Sequence, residues 1–396
     1  MAVHPFFQEL EEKIHVRRQA GLGRELLAAS ARDGRTVTVD GRPYLDFSSN
    51  DFLGLGRDQR LAEDMRQRCL QGCGAGASRL VSGTSVSTLE AEVALARHFG
   101  YESCLILGSG FLANLTLIAT LFSSEHVLAL DKRVHTSIMA GVVHSRATFH
   151  TFRHNTLSHL EKILRAQPVT AVLTESLFSM DADSPDFSRL QALKEEFNFL
   201  SIIDEAHAFG VLGPQGRGLG HTLADVAVGT LGKAFGMFGA FILGPQAVRD
   251  YLIHFGQGFI YTTALPPWHG DMVLAMLDQV VQADERRRHL RDLSRIGRAM
   301  LDEIGLEVRG PHHILAVHVG DEVNSLALSA ALRDQGILVF AARYPTVPLG
   351  RAMLRVCLSS DHTVSDLERL RDALIKARQD CPASCGPKAC VPPTTI

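Results

Sequence analysis

The chain has 396 residues, 46% of them hydrophobic and 34 of them glycine, with a formal net charge of −3. That length can bury a large core and divide into two lobes, and the near-balanced charge gives no electrostatic footprint for nucleic acid. No apolar run reaches the ~18–20 residues of a membrane span, and Met1 to Glu12 lack a secretory signal's basic start and apolar centre, so a soluble, cytoplasmic protein without nucleic-acid or membrane partners is expected.

In chain order, Phe6 to Arg18 has the spacing of an amphipathic helix. Thr36-Val-Thr-Val-Asp-Gly-Arg-Pro-Tyr44 predicts a hairpin turning at Asp40-Gly41. From about 46 to 285, short apolar strands alternate with helices at Glu90 to Phe99, Phe111 to Phe122, Leu157 to Ala166 and Phe187 to Phe197. That alternation predicts an α/β domain with a mostly parallel sheet and helical crossovers. Asp284 to Ile304, with Glu285-Arg-Arg-Arg-His289, reads as a helix with a solvated charged face. It leads into a smaller α/β zone, Leu306 to Arg378. The expected division is an N-terminal segment (1–45), a large domain (46–285), a small C-terminal domain (286–379) and a tail (380–396) whose prolines and weak periodicity point to disorder.

The cysteines are not a disulfide framework. Cys69, Cys73, Cys104 and Cys357 are scattered through apolar segments, as reduced core or near-core thiols would be. Cys381, Cys385 and Cys390 lack the paired hooks of a zinc site, so no metal is expected.

Chemistry concentrates on Lys233, flanked by small residues in Gly229-Thr-Leu-Gly-Lys-Ala-Phe-Gly236 just past the apolar run Asp225-Val-Ala-Val228. Such a lysine is a candidate Schiff-base amine. Asp204 and His207 follow the neighbouring run Phe199-Leu-Ser-Ile-Ile203, where they could hold a pyridine nitrogen and a ring oxygen. Together the three suggest pyridoxal phosphate (PLP). Asp204-Glu-Ala-His207 also spells a helicase metal box. That machine needs G-x-x-x-x-G-K-[ST], whereas Ala227 stands five before Gly232, Ala234 follows the lysine, and the order of the two segments is reversed. Taken alone, Lys233 reads more simply as a surface lysine.

Gly108-Ser-Gly110-Phe111-Leu-Ala113 follows Cys104-Leu-Ile-Leu107 and opens an apolar helix. With Asp131 further on it fits a dinucleotide fingerprint. Free backbone N–H groups and the helix dipole serve any phosphate equally. Given Lys233 and the Asp/His pair on later strands, a PLP phosphate is the better tenant.

The longer motifs are Phe47-Ser-Ser-Asn-Asp-Phe-Leu-Gly-Leu55, Gly76-Ala-Ser-Arg-Leu-Val-Ser-Gly83, Glu175-Ser-Leu-Phe-Ser-Met-Asp181, Asp204-Glu-Ala-His-Ala-Phe-Gly210 and Pro345-Thr-Val-Pro348. On these the chain, from about residue 8 to 378, resembles the α-oxoamine synthases, PLP-dependent transferases of fold type I (the aspartate-aminotransferase fold). The resemblance implies a homodimer with shared sites and a decarboxylative condensation of an amino acid with an acyl thioester. It assigns Lys233 the covalent link to the cofactor and the α-proton, Asp204 the pyridine nitrogen, His207 and Ser179 the ring oxygen, and His135 the ring face. Thr230 and the backbone at Gly110 and Phe111 take the phosphate, with Thr262 and Thr263 reaching it from the partner subunit. Arg355 grips the amino-acid carboxylate, Arg24, Arg343 and Thr346 match acyl-substrate positions, and Asn50 is a further polar candidate.

In Gly232-Lys-Ala-Phe-Gly-Met-Phe-Gly-Ala-Phe241 and Tyr261-Thr-Thr-Ala-Leu-Pro-Pro267 the chain most resembles the branch of that family that joins L-alanine to a pimeloyl thioester, on CoA or acyl carrier protein, in biotin biosynthesis, and the resemblance implies that reaction. Sister reactions use glycine with acetyl-CoA or succinyl-CoA, serine with palmitoyl-CoA, or autoinducer-type substrates. A non-catalytic scaffold is the reading of another class, and the intact set Lys233, Asp204, His207 and His135 speaks against it. The chain departs from its relatives at Ala208-Phe209, at Ser85-Val-Ser-Thr-Leu89, where many carry a histidine, and in the Cys-rich tail.

Overall fold

The computed structural model describes residues 4–68 and 72–380. The described parts of 1–49, 292–358 and 362–396 form one compact unit, and those of 50–291 with 359–361 form another.

The larger unit is built on a seven-stranded sheet. Its strands, numbered here in chain order, are β1 (Ser103–Leu107), β2 (Val127–Asp131), β3 (Thr148–Phe152), β4 (Ala171–Glu175), β5 (Leu200–Asp204), β6 (Val226–Thr230) and β7 (Ala240–Gly244). β1, β4 and β7 are buried at every position. Continuous apolar runs without alternation are what a sheet covered on both faces requires. The order is β1-β7-β6-β5-β4-β2-β3. The ladder from β6 to β3 is parallel, and β7 runs antiparallel between β1 and β6. The expected mostly parallel α/β fold is therefore present. Its parallel strands bring their carboxyl ends to one edge, where Asp131, Glu175, Asp204 and Thr230 are the last residues of β2, β4, β5 and β6. Open α/β sheets bind ligands at that edge.

This topology removes the dinucleotide reading. β1 and β2 flank the helix Gly110–Leu121 in sequence but are not neighbours in the sheet, so no Rossmann βαβ unit exists there. Asp131 is buried, and both its oxygens are engaged by protein groups: Oδ1 accepts from Arg133 N at 2.8 Å and Oδ2 from Asn155 N at 2.8 Å.

In the smaller unit, Thr36–Val39 pairs antiparallel with Arg42–Asp46. Asp40 (φ 52) and Gly41 (φ 74) both lie in the left-handed region, as a two-residue primed turn demands. Ile337–Leu338 adds to Arg42–Asp46 in parallel. A second sheet holds Val308–Arg309, Ile314–Gly320, Ala352–Cys357 and Phe340–Ala342, and the unit's helices include Glu322–Asp334 and Val364–Asp380. The N-terminal helix forms over Pro5–Gln19 but buries none of its residues; Phe6, Phe7, Ile14 and Val16 are exposed.

Cys104 and Cys357 are free and buried as expected. Cys73 is exposed, a correction to the near-core expectation: it lies between Gly72 and Gly74, which have no side chains to cover it. Cys69 and the three C-terminal cysteines lie outside the described residues. Among the described residues, no helix is long and apolar enough to cross a membrane, and no group of three or more His, Cys, Asp or Glu is arranged to hold a metal ion.

Candidate active site

Lys233 lies in the turn between β6 and β7. Leu231 N donates to Gly239 O (3.0 Å), Met237 N to Leu231 O (2.8 Å) and Gly236 N to Lys233 O (2.8 Å). Gly236 has φ 64, and a Cβ there would meet Gly56 N at 2.1 Å, so the close approach of these two turns requires glycine. Lys233 Nζ is 2.8 Å from His207 Nε2. His207 is itself buried, just beyond the end of β5.

Asp204 is buried at the end of β5, and both oxygens accept hydrogen bonds. Oδ1 takes Ala206 N at 2.9 Å, and Oδ2 takes Asn114 Nδ2 at 2.7 Å. Asn114 Nδ2 also donates to Ser137 Oγ at 3.0 Å. Ser137 Oγ lies 2.7 Å from His135 Nδ1, which also faces Ser137 N at 3.3 Å. A nitrogen that accepts from a backbone N–H carries no proton, so this network assigns the His135 proton to Nε2. A continuous relay, Asp204–Asn114–Ser137–His135, thus links a carboxylate at the sheet edge to an imidazole on a neighbouring loop.

Electrostatics support this arrangement. Burial first, and then the neighbouring Asp204 charge, push the Glu175 carboxyl well above the usual range. Glu175 still accepts His135 N at 2.6 Å, which fixes the start of the histidine's helix. His135 is exposed by area, yet loss of water around its ring lowers its pKa. Asp204 opposes that shift and Lys233 adds to it, leaving the imidazole neutral near pH 7.

The helix Gly110–Leu121 opens against this group. Ser109 Oγ caps it by accepting from Leu112 N at 3.2 Å, and its first-turn N–H groups form an anion-binding end. Thr230 flanks it: a Cβ on Gly110 would come within 3.9 Å of Thr230 Cβ. Thr230 Oγ1 donates to Gly239 O (3.2 Å) and accepts from Gly232 N (3.1 Å). Phe111 presents its ring edge-on to His135, with centroids 6.5 Å apart.

The other expected positions are divided between the two units. Ser179 is half-buried in the turn after β4. Asn50 is half-buried and starts the loop that carries Phe52, whose ring centroid is 6.0 Å from that of His207. Thr263 bridges to Ser78, and Thr262 and Thr263 line a crevice with Arg79 and Gly108 of the same chain. Arg24, Arg343, Thr346 and Arg355 belong to the smaller unit. There Arg343 Nη2 donates to Gly23 O beside Arg24, and Thr346 N donates to Arg343 O at 2.9 Å. Arg355 is buried on Ala352–Cys357 with Nη1 2.8 Å from Cys357 Sγ.

Asn114, Ser137 and Glu175 were not singled out from sequence. The available signal was Asn114 itself, an amide buried in a mostly apolar helix. An amine, a buried carboxylate, a neutral imidazole and a helix N-terminus at one sheet edge fit a flat heteroaromatic ring that bears a carbonyl and a phosphate.

Fold and residues define a protein of the aminotransferase class I and II type, and the model of that family matches residues 42–374. The chain belongs to this family, within its α-oxoamine synthase branch. It is similar to the 8-amino-7-oxononanoate synthase of Gluconacetobacter diazotrophicus, at 40% identity over 395 residues, covering 95% of this chain and 98% of that protein. The Chromobacterium violaceum 8-amino-7-oxononanoate synthase is 38% identical over 380 residues, covering 94% and 97%. Among solved structures, a serine palmitoyltransferase from S. paucimobilis with a bound PLP–myriocin aldimine superimposes with a TM-score of 0.89 at 23% identity, covering 96% of this chain and 100% of that one. At that identity the likeness speaks for the fold.

Proposed function

We propose that the protein is a PLP-dependent C-acyltransferase that condenses L-alanine with a pimeloyl thioester, giving 8-amino-7-oxononanoate, CO₂ and free thiol in biotin biosynthesis. The carrying observation is Lys233 Nζ set 2.8 Å from His207 beside a doubly hydrogen-bonded, buried Asp204, in a chain almost coextensive with relatives named for that activity.

Bound PLP supplies a cationic ring that withdraws electrons from the amino acid's α-carbon. Lys233 would hold it covalently. Asp204 would take the pyridine nitrogen, His207 and Ser179 the ring oxygen, and His135 the ring face. Gly110, Phe111, Thr230, Thr262 and Thr263 would take the phosphate. Asn114 keeps the Asp204 carboxylate aimed along the relay. Lys233 would then accept the α-proton of alanine, a positioned-base role of the kind that contributes ~10²–10⁴-fold. Catalytic roles thus fall to Lys233, Asp204 and His135. Arg355 would grip the alanine carboxylate, and Arg24, Asn50, Arg343 and Thr346 would serve the substrates.

A homodimer completes this reading. Leu80, Val81, Val86, Val93 and Tyr261 are exposed on the larger unit, an apolar surface of the kind a second copy covers.

Crossing L-alanine, glycine and L-serine with pimeloyl-, acetyl-, succinyl- and palmitoyl-thioesters tests the substrate. L-alanine with pimeloyl thioester is expected to give the highest kcat/KM. The preference for L-alanine over glycine and L-serine should be strong but leaky, because one methyl is worth only ~1–3 kcal/mol. Highest activity with glycine and acetyl- or succinyl-CoA would move the chain to a sister reaction. Arg355→Lys should raise KM for the amino acid far more than for the thioester, because a lysine cannot reproduce the bidentate fork. Equal effects on both would remove Arg355 from that role.

A further inference from the structure

Beyond the proposed site, a charged cluster ties the ends of β2 and β3 to the turn that follows β4. At its centre is His154, whose two ring nitrogens both face carboxylates. Nδ1 is 2.9 Å from Asp131 Oδ1, and Nε2 is 3.0 and 3.1 Å from the two oxygens of Asp183. Asp181 stands a little further off, with Oδ2 4.0 Å from Nε2. Arg133 Nη1 donates to Asp181 Oδ1 at 2.6 Å. Phe178 meets the histidine ring edge-on, at 4.5 Å between centroids and 89° between planes.

A neutral imidazole has one N–H, so it can donate to only one of two flanking carboxylates. Carboxylates on both sides call for the doubly protonated ring, which donates twice and offsets part of their mutual repulsion. The carboxylates come from different elements. Asp131 is fully buried at the end of β2, whereas Asp181 and Asp183 belong to the turn after β4. That turn closes on itself through Phe178 N to Asp183 O and Ala182 N to Phe178 O, both 2.9 Å. Ala182 holds a left-handed φ of 56 and is fully buried. Ser179 lies within this closed turn.

We propose that His154 is a positioning residue, a cationic clamp that fastens the Ser179-bearing turn to the ends of β2 and β3 and so sets the ring-oxygen side of the active site. This rests on the proposed role of Ser179 at the cofactor ring.

The groups facing His154 are Asp131, Asp181 and Asp183, with Phe178 on its edge and Arg133 one residue removed through Asp181. Burial alone would lower the His154 pKa. The hydrogen bonds and charges of Asp131 and Asp183 outweigh it and push it up to about 9. A histidine raised above its usual ~6.5 stabilises the fold fully below that value. The contribution is lost as pH rises through about 9. The clamp is therefore closed at neutral pH and opens in the alkaline range.

The experiment uses the full-length holoenzyme with ¹³C-labelled histidine, His154 being assigned by comparison with His154→Gln. Its imidazole signal is expected to titrate near pH 9, and Asp183→Asn should lower that midpoint by about one pH unit. The Tm difference between wild type and His154→Gln should be full at pH 6.5 and close by pH 10. At pH 7.5, His154→Gln should shift the cofactor's visible band and lower kcat about tenfold, with KM nearly unchanged. Titration of His154 near 6.5 overturns the clamp. Normal titration together with an unmoved band and normal kcat in His154→Gln overturns the positioning role and leaves the proposed function standing. Wild-type protein without a visible band sinks the cofactor reading instead, and the titration and Tm profile then decide the clamp alone.

Discussion

Lys233→Ala is expected to abolish turnover, with a loss above ~10³-fold, because one side chain supplies both the covalent anchor and the base for the α-proton. Borohydride reduction of the wild-type holoenzyme, followed by peptide mapping, should place the reduced cofactor adduct on Lys233. Two other lysines near the sheet are useful comparisons. Lys132, just past β2, is exposed, and Lys194 is held by Asp225 Oδ2 at 2.7 Å and Leu223 O at 2.8 Å. Of the three, Lys233 is the one that points at an imidazole, with His207 Nε2 at 2.8 Å. An adduct on either of the others, or a Lys233→Ala protein that turns over normally, would remove the central residue of the site. The variant should remain folded, since the turn around residue 233 is closed by backbone hydrogen bonds that the substitution leaves in place.

Local pattern made much of the fold legible. The helices Leu157–Ala166 and Phe187–Phe197 begin and end where the apolar spacing places them. The apolar runs before Asp204 and before Thr230 are neighbouring parallel strands, which is why a lysine and an Asp/His pair far apart in sequence lie together. Strand order was not legible. β7 is inserted antiparallel between β1 and β6, a pairing decided by long-range packing and not by any period in the chain. β7, β6, β5 and β4 all lie between β1 and β2 in the sheet, which explains how a dinucleotide-like glycine pattern can arise without the dinucleotide fold.

Polar networks were the least visible part. Arg79 opens a short helical turn, Arg79–Gly83, and pairs with the buried Glu92, which also binds Arg249 at 3.0 Å and Ile106 N at 2.9 Å. That cluster fastens the turn to β1. Asn114, Ser137 and Glu175 likewise acquire meaning only once three strands and a helix converge. A hydrogen-bond relay has no sequence period, so single polar residues within apolar runs are its only trace.

Asp204→Asn is expected to lower kcat by about 10²–10³-fold, the range that loss of one preorganised electrostatic partner costs. The carboxylate accepts from Ala206 N and Asn114 Nδ2 at once. An amide has only one acceptor oxygen, so one contact becomes donor against donor. If Asn114 flips to relieve this, it no longer donates to Ser137, and the link to His135 breaks. The single variant should therefore lose stability as well as activity, about 1–3 kcal/mol for an unsatisfied buried group. The double variant Asp204→Asn with Asn114→Asp separates the two effects. It restores a donor facing an acceptor between positions 114 and 204, and the carboxylate introduced at position 114 accepts from the Ser137 hydroxyl, to which Asn114 donates in the wild type, at the expense of the Ser137 bond to His135 Nδ1. It leaves no carboxylate where the ring nitrogen is expected. Denaturant midpoints should recover in part while kcat stays low. Recovery of kcat in the double variant would show that geometry alone, and not the charge at position 204, is what the reaction needs.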